Sequence, residues 1–165
     1  MLLRLLPWPA AAIMLFPGSA TAQQPLQPLS FFEGRTESSG TVKVLMQNPY
    51  LSHSVGRGRI EPDGSLTLVQ QVFDQKKPPT VRRWSIRRAG VGHYIGTMSD
   101  ASGPVAIDQI GGQFRFRFRL KNSLAVEQWV TPLADGTSAR NLMTVRKFGI
   151  TVATGDGMIR KLAGG

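Results

Sequence analysis

Between Phe114 and Leu120 the chain alternates apolar and cationic residues without a break: Phe114-Arg115-Phe116-Arg117-Phe118-Arg119-Leu120. A period of two marks a strand with one face in a core, because successive side chains point to opposite sides of a pleated backbone. Phe114, Phe116, Phe118 and Leu120 share the apolar face, and Arg115, Arg117, Arg119 and Lys121 share the other. The run Val81-Arg82-Arg83-Trp84-Ser85-Ile86-Arg87-Arg88 follows the same logic. Trp84 and Ile86 fall on one face between Arg82 and Arg88, with Arg83 and Arg87 opposite. If the two strands lie close together, their outward arginines form a cationic band suited to phosphate or sulfate.

Turn signals recur about every 8 to 12 residues, the spacing of a meander of short strands. Asp63-Gly64 separates residues 53–61 from 65–74, and Asp-Gly between alternating runs favours a tight hairpin. Residues 75–80, with Pro78-Pro79, form a longer loop. Gly90-Val91-Gly92 joins 81–89 to 93–100, and Gly111-Gly112 turns 105–110 into the Phe/Arg strand. Asn122-Ser123 leads to 124–131, Ala134-Asp135-Gly136 leads to 138–148, and a last short strand is expected within 158–162. In 65–74, Leu66, Leu68, Gln70 and Val72 share one face and Val69 and Phe73 the other, which predicts a bulge or a strand buried on both sides. These segments make an all-β chain of about eight to ten antiparallel strands. Closure removes exposed strand edges, so an up-and-down β-barrel is the first expectation and an open sandwich the second.

Residues 1–22 stand apart from this pattern. They carry Arg4, an apolar run over 5–16, the breaker Pro17-Gly18, and Ala20-Thr21-Ala22, the small-x-small form of a signal-peptidase site. The run is shorter than the roughly 18 to 20 residues a spanning helix needs. A cleaved N-terminal signal helix at 1–22 is expected, then a Pro- and Gln-rich flexible lead-in at 23–29 and one barrel domain at 30–165. Such a protein is periplasmic or secreted. It has no cysteine, so neither disulfides nor a lipid tether at the cleavage point contribute.

The formal charge is +10. Removing the signal with Arg4 leaves +9, a balance that favours anionic partners such as membrane lipid or envelope glycan. Nucleic acid is excluded, because single-strand binders place aromatic platforms and cations on one groove, whereas the Phe/Arg strand divides them between two faces. His53 and His93 have no metal-ligand spacing, and no nucleophile elbow or phosphate loop is present, so no metal, cofactor or catalytic signature is expected. A monomer is expected. Tyr94, Gly96, Met98 and Asp100 share one face and Asn141, Met143, Val145 and Lys147 another, so polar groups enter an apolar interior at two places. Asp100 paired with Lys147 or an arginine at a barrel mouth would satisfy them.

With the strands placed, the segment from Ser30 to Leu162 resembles the DUF3833 family of bacterial proteins. The resemblance runs through Phe31-Phe32-Glu33-Gly34 with Gly40, Arg83-Trp84-Ser85-Ile86, and Gly92-His93-Tyr94-Ile95-Gly96-Thr97 with Asp100 and Gly103-Pro104. It continues through Phe114-Arg115-Phe116-Arg117-Phe118, Trp129, and Asn141 leading into Lys147-Phe148-Gly149. It implies a lipocalin/calycin-like β-barrel of the bacterial envelope, with no established activity to carry over. This chain has Glu127-Gln128 where the family usually has an acidic pair before the tryptophan, and Gly112 where an asparagine is expected.

The leading functional reading is a barrel that binds a small apolar or amphipathic, lipid-like molecule, with Trp84, Tyr94, Met98, Asp100, Arg115, Phe116, Asn141 and Lys147 as candidate ligand-binding residues. One rival is an enzyme acting on an envelope lipid or similar precursor, with His93 and Asp100 as proton-transfer groups in one cavity. The other is a basic adaptor whose Arg115, Arg117 and Arg119 meet anionic lipid or glycan.

Overall fold

The computed structural model describes residues 28–75 and 77–163. The expected signal segment and residues 23–27 of the lead-in lie outside them. One helical turn, α1 (Pro28–Phe31), precedes ten strands: β1 (Gly34–Val44), β2 (Tyr50–Ile60), β3 (Leu66–Asp74), β4 (Thr80–Gly90), β5 (His93–Met98), β6 (Val105–Ile110), β7 (Gln113–Arg119), β8 (Ala125–Pro132), β9 (Ser138–Lys147) and β10 (Ile150–Lys161). Each strand pairs antiparallel with its sequence neighbours, and β1 pairs with β10 to close the barrel. In an up-and-down order an even strand count leaves the first and last strands antiparallel, so this seam is laddered like any hairpin. The all-β closed barrel agrees with the expected fold.

Two strands differ from their expected extents. No strand was expected over 34–44, and β10 spans 12 residues where only a short strand within 158–162 was expected. The alternation is present in both, but the inward positions hold Thr36, Ser38 and Gly40 on β1 and Gly155 and Gly157 on β10. These side chains are too small to produce a hydrophobic signal. β3 is also regular, with continuous register to both β2 and β4 and no bulge. Leu66, Leu68 and Val72 point inward, while Val69 and Phe73 are 45% and 40% exposed on the outer face, so the strand is not buried on both sides. Gln70 belongs inside because its Nε2 donates to Ser54 Oγ at 2.8 Å.

α1 plugs one end of the barrel. Phe31 is 1% exposed and packs edge-to-face on Phe32, whose ring meets Phe116 in the same way at 6.3 Å. A Cβ at Gly58 would collide with the Phe32 carbonyl, so the bare β2 backbone lets the turn seat. Lys161 Nζ donates to the Ser30 carbonyl at 2.9 Å, tying α1 to the last strand. Leu66, Ile86, Tyr94, Ile107, Phe114 and Val130 fill the interior at this end. The turns that join β1 to β2, β3 to β4, β5 to β6, β7 to β8 and β9 to β10 surround the opposite end.

Candidate functional site

An interior cavity of about 170 Å3 lies beyond the Phe32 floor. It exists because the barrel walls differ. Along the seam, β1, β2 and β10 present Ser38, Gly40, Ser52, Ser54, Gly155 and Gly157, while β3, β4 and β7 present Leu68, Trp84, Phe116 and Phe118. Ten strands enclose a wider interior than the eight that side chains fill easily, and small residues on one side leave that width unfilled. Gly40 and Gly157 face each other across the seam. A Cβ on Gly157 would lie 2.5 Å from the Ser39 carbonyl oxygen, so the two backbones approach only because both side chains are absent.

Polar groups in the cavity form two sets. Ser38 and Ser54 hydroxyls are 2.6 Å apart, and Gln70 donates to Ser54, so this set is internally satisfied. The other set is not. Trp84 Nε1 and Asn141 Oδ1 are both buried without a hydrogen-bond partner among the described residues, and both residues line the cavity. Trp84 is held edge-on against Phe118, with ring centres 5.9 Å apart. Asn141 stands opposite Gly157 on β10. β4 and β9 are five steps apart in the strand order, so the two residues stand on opposite walls, with the unpaired donor and acceptor themselves set just behind the cavity surface. Leaving such groups unpaired costs about 1–3 kcal/mol each.

The structure brings together Trp84, Phe116 and Asn141 from the candidate set. Asp100 sits at the rim, where its Oδ2 accepts from Nε of the cavity-lining Arg82 at 2.9 Å; the mouth carboxylate is thus paired with an arginine, not with Lys147. Tyr94 and Met98 face inward but are 3% and 5% exposed within the packed core. Arg115 lies on the outer wall, and Lys147 is at the β9–β10 turn with its ammonium over Phe148. Sequence reasoning did not select Ser38, Ser54, Gln70 or Gln128. Their signal was available as small or amide residues at inward positions. Gln128, where the chain departs from the usual acidic pair, points into the cavity, whereas Glu127 points out.

His93 and Asp100 do not share a cavity. His93 opens β5 near the plugged end, with Nδ1 2.8 Å from Asp108 Oδ1, and Asp100 follows β5 at the opposite rim. No acid–base couple forms between them. The expected cationic band of β4 and β7 is also broken, since β5 and β6 lie between those strands. Arg117 Nη2 donates to Asp108 at 2.8 Å, and Arg115 Nε donates to Glu127 at 3.0 Å while its guanidinium lies over the Trp129 ring.

These outer pairs make stability depend on acid. The hydrogen bond from Arg115, aided by Trp129, lowers the Glu127 carboxyl below its ordinary 4.5, against an opposing effect of desolvation. His93 and Arg117 likewise lower Asp108 below 3.8. A carboxyl depressed in the folded state stabilises above its unfolded value, and that contribution disappears as pH falls through the folded one. Thermal melting should hold level down to about pH 5 and decline below about 4.5. Asp108→Asn should melt lower at neutral pH and lose less on acidification. An equal acid slope in variant and parent would show that Asp108 is not one of the groups responsible.

The solved structure of the S-type phycobiliprotein lyase CPES from Guillardia theta is similar to this chain, with a TM-score of 0.65 and 8% sequence identity. The similarity covers 82% of this chain and 92% of that one, and at that identity it shows a common lipocalin-like barrel fold. No curated protein matches the sequence. The sequence profile of DUF3833, a protein family of unknown function, matches residues 17–161, and the chain belongs to that family.

Proposed function

We propose that this barrel is a periplasmic binding protein for a small amphipathic, lipid-like molecule held in the seam-side cavity. The observation that carries the reading is the pair of buried groups left unpartnered among the described residues, Trp84 Nε1 and Asn141 Oδ1, on opposite sides of a space lined by both apolar rings and small polar side chains. A ligand with an apolar body packs on Leu68, Phe116 and Phe118. A small rotation of each side chain brings the two buried atoms to the cavity surface, where a ligand acceptor receives a hydrogen bond from Trp84 Nε1–H and a ligand hydroxyl or amide donates to Asn141 Oδ1. Arg82 and Asp156, the charged residues that line the cavity among the described residues, are paired with Asp100 and Arg140, which favours a neutral or singly polar ligand over a multiply charged one. The envelope location is supported by the N-terminal apolar run with its small-x-small end.

Native mass spectrometry of protein purified from envelope extracts tests this reading. A co-purifying small molecule is expected, and Trp84→Phe, which keeps the ring but deletes the donor, should weaken its retention on the order of tenfold, the worth of one buried hydrogen bond. Asn141→Leu should do the same or more. A parent protein that emerges uniformly ligand-free, or a ligand held equally by both variants, overturns the assignment.

A further inference from the structure

The two ends of the barrel are chemically unlike. At the plugged end the turns use glycines in the left-handed region, among them Gly64, Gly92, Gly111 and Gly136, and carry the acids Glu61, Asp63 and Asp135. At the open end three non-glycine residues hold positive φ: Met46 at 60°, Ser123 at 66° and Phe148 at 50°. Large side chains rarely adopt that conformation. Met46 is nevertheless 98% exposed and Phe148 91%, so neither is buried in return, and the Phe148 ring lies under the Lys147 ammonium. Leu45 and Ile150 beside them are 59% and 65% exposed. The Leu45 amide donates to the Val152 carbonyl at 2.9 Å, which sets the β1–β2 and β9–β10 tips side by side on one edge of the mouth.

Cations accompany these tips. Lys43 and Lys147 flank them, and Lys121 lies on the neighbouring β7–β8 turn. Arg119 and Arg146 stand on either side of Ala125 in adjoining strands, within a surface cleft walled by Ser102, Gly103 and Pro104. Neither arginine forms a direct ion pair among the described residues, unlike Arg115, Arg117 and Arg140; Glu127 shares the cleft and feels the Arg146 charge but is bonded to Arg115. Isolated apolar tips set among lysines and arginines match an anionic bilayer, where apolar groups enter the headgroup layer and cations meet phosphates. A protein partner would be matched by a flatter, continuous apolar patch.

We propose that the open end docks on an anionic lipid surface, with Met46 and Phe148 inserted and Lys43, Lys147, Arg119 and Arg146 against the phosphates, so that the cavity mouth faces the membrane. This does not depend on what the cavity holds. Co-sedimentation with phosphatidylglycerol–phosphatidylcholine vesicles, against phosphatidylcholine alone, tests it. The parent should bind the anionic vesicles and release at high salt. Met46→Ser with Phe148→Ser should lower partitioning by on the order of tenfold or more, from the apolar surface lost. Arg119→Gln with Arg146→Gln should flatten the salt dependence. Phe148→Gly, which suits the positive φ, should match or exceed the parent's melting temperature while binding less, separating docking from folding. No binding by the parent, undiminished binding by the serine variant, or a lipid-free dimer that this variant abolishes would each overturn the proposal.

Discussion

Phe31→Ala should destabilise the barrel by about 3–5 kcal/mol, the usual loss for a fully buried phenylalanine. In a chain of this size that corresponds to roughly 10 °C or more in melting temperature. Phe31 is 1% exposed and belongs to the same buried cluster as Leu66, Ile107 and Phe114, so its removal leaves a cavity that the rigid barrel wall cannot collapse around. The consequence extends to the ligand site, because Phe31 supports Phe32 edge-on at 5.2 Å and Phe32 is the cavity floor. Phe148→Ala is the matched comparison, since a ring 91% exposed contributes little to folding. Melts of the two variants should separate widely. A Phe31→Ala protein as stable as Phe148→Ala would mean that α1 does not close this end.

Gly157→Val is expected to cost about 3 kcal/mol, at the upper end of the range for overpacking, with a matching fall in the denaturant midpoint. The added Cβ would meet the Ser39 carbonyl oxygen at 2.5 Å and the Gly40 Cα at 2.9 Å, both backbone atoms of the closing strand, so no side chain can rotate away. Relief requires β1 and β10 to separate, which opens the seam and displaces Asn141 opposite Gly157. The same variant should therefore lose ligand more readily than Trp84→Phe. Gly103→Ala is the control, because a Cβ there meets nothing within 4 Å. Equal midpoints for the two variants would show that the seam yields without strain.

The fold was legible where inward residues are large. Phe114, Phe116 and Phe118 announce β7, and Trp84 with Ile86 announces β4. β1 was illegible because Thr36, Ser38 and Gly40 alternate in geometry without alternating in hydrophobicity. That blind spot coincides with the cavity, since the residues too small to signal a strand are the ones that leave space inside it. The candidate site was legible in part for the same reason. Trp84, Phe116 and Asn141 were assigned the inward face and line the cavity, whereas Tyr94 and Met98 share that orientation but pack into the core. Orientation along one strand does not tell how far the opposite wall stands.

From sequence alone came the strand alternation, most of the hairpins and the closed antiparallel barrel, all consequences of local sterics and of turn residues within a few positions of one another. Only the tertiary structure decided which interior positions face open space, that Arg82 and not Lys147 meets Asp100, and that Met46 and Phe148 stand together on one rim. Those outcomes depend on register accumulated across ten strands and on side-chain volumes summed over facing walls. No single strand contains either quantity.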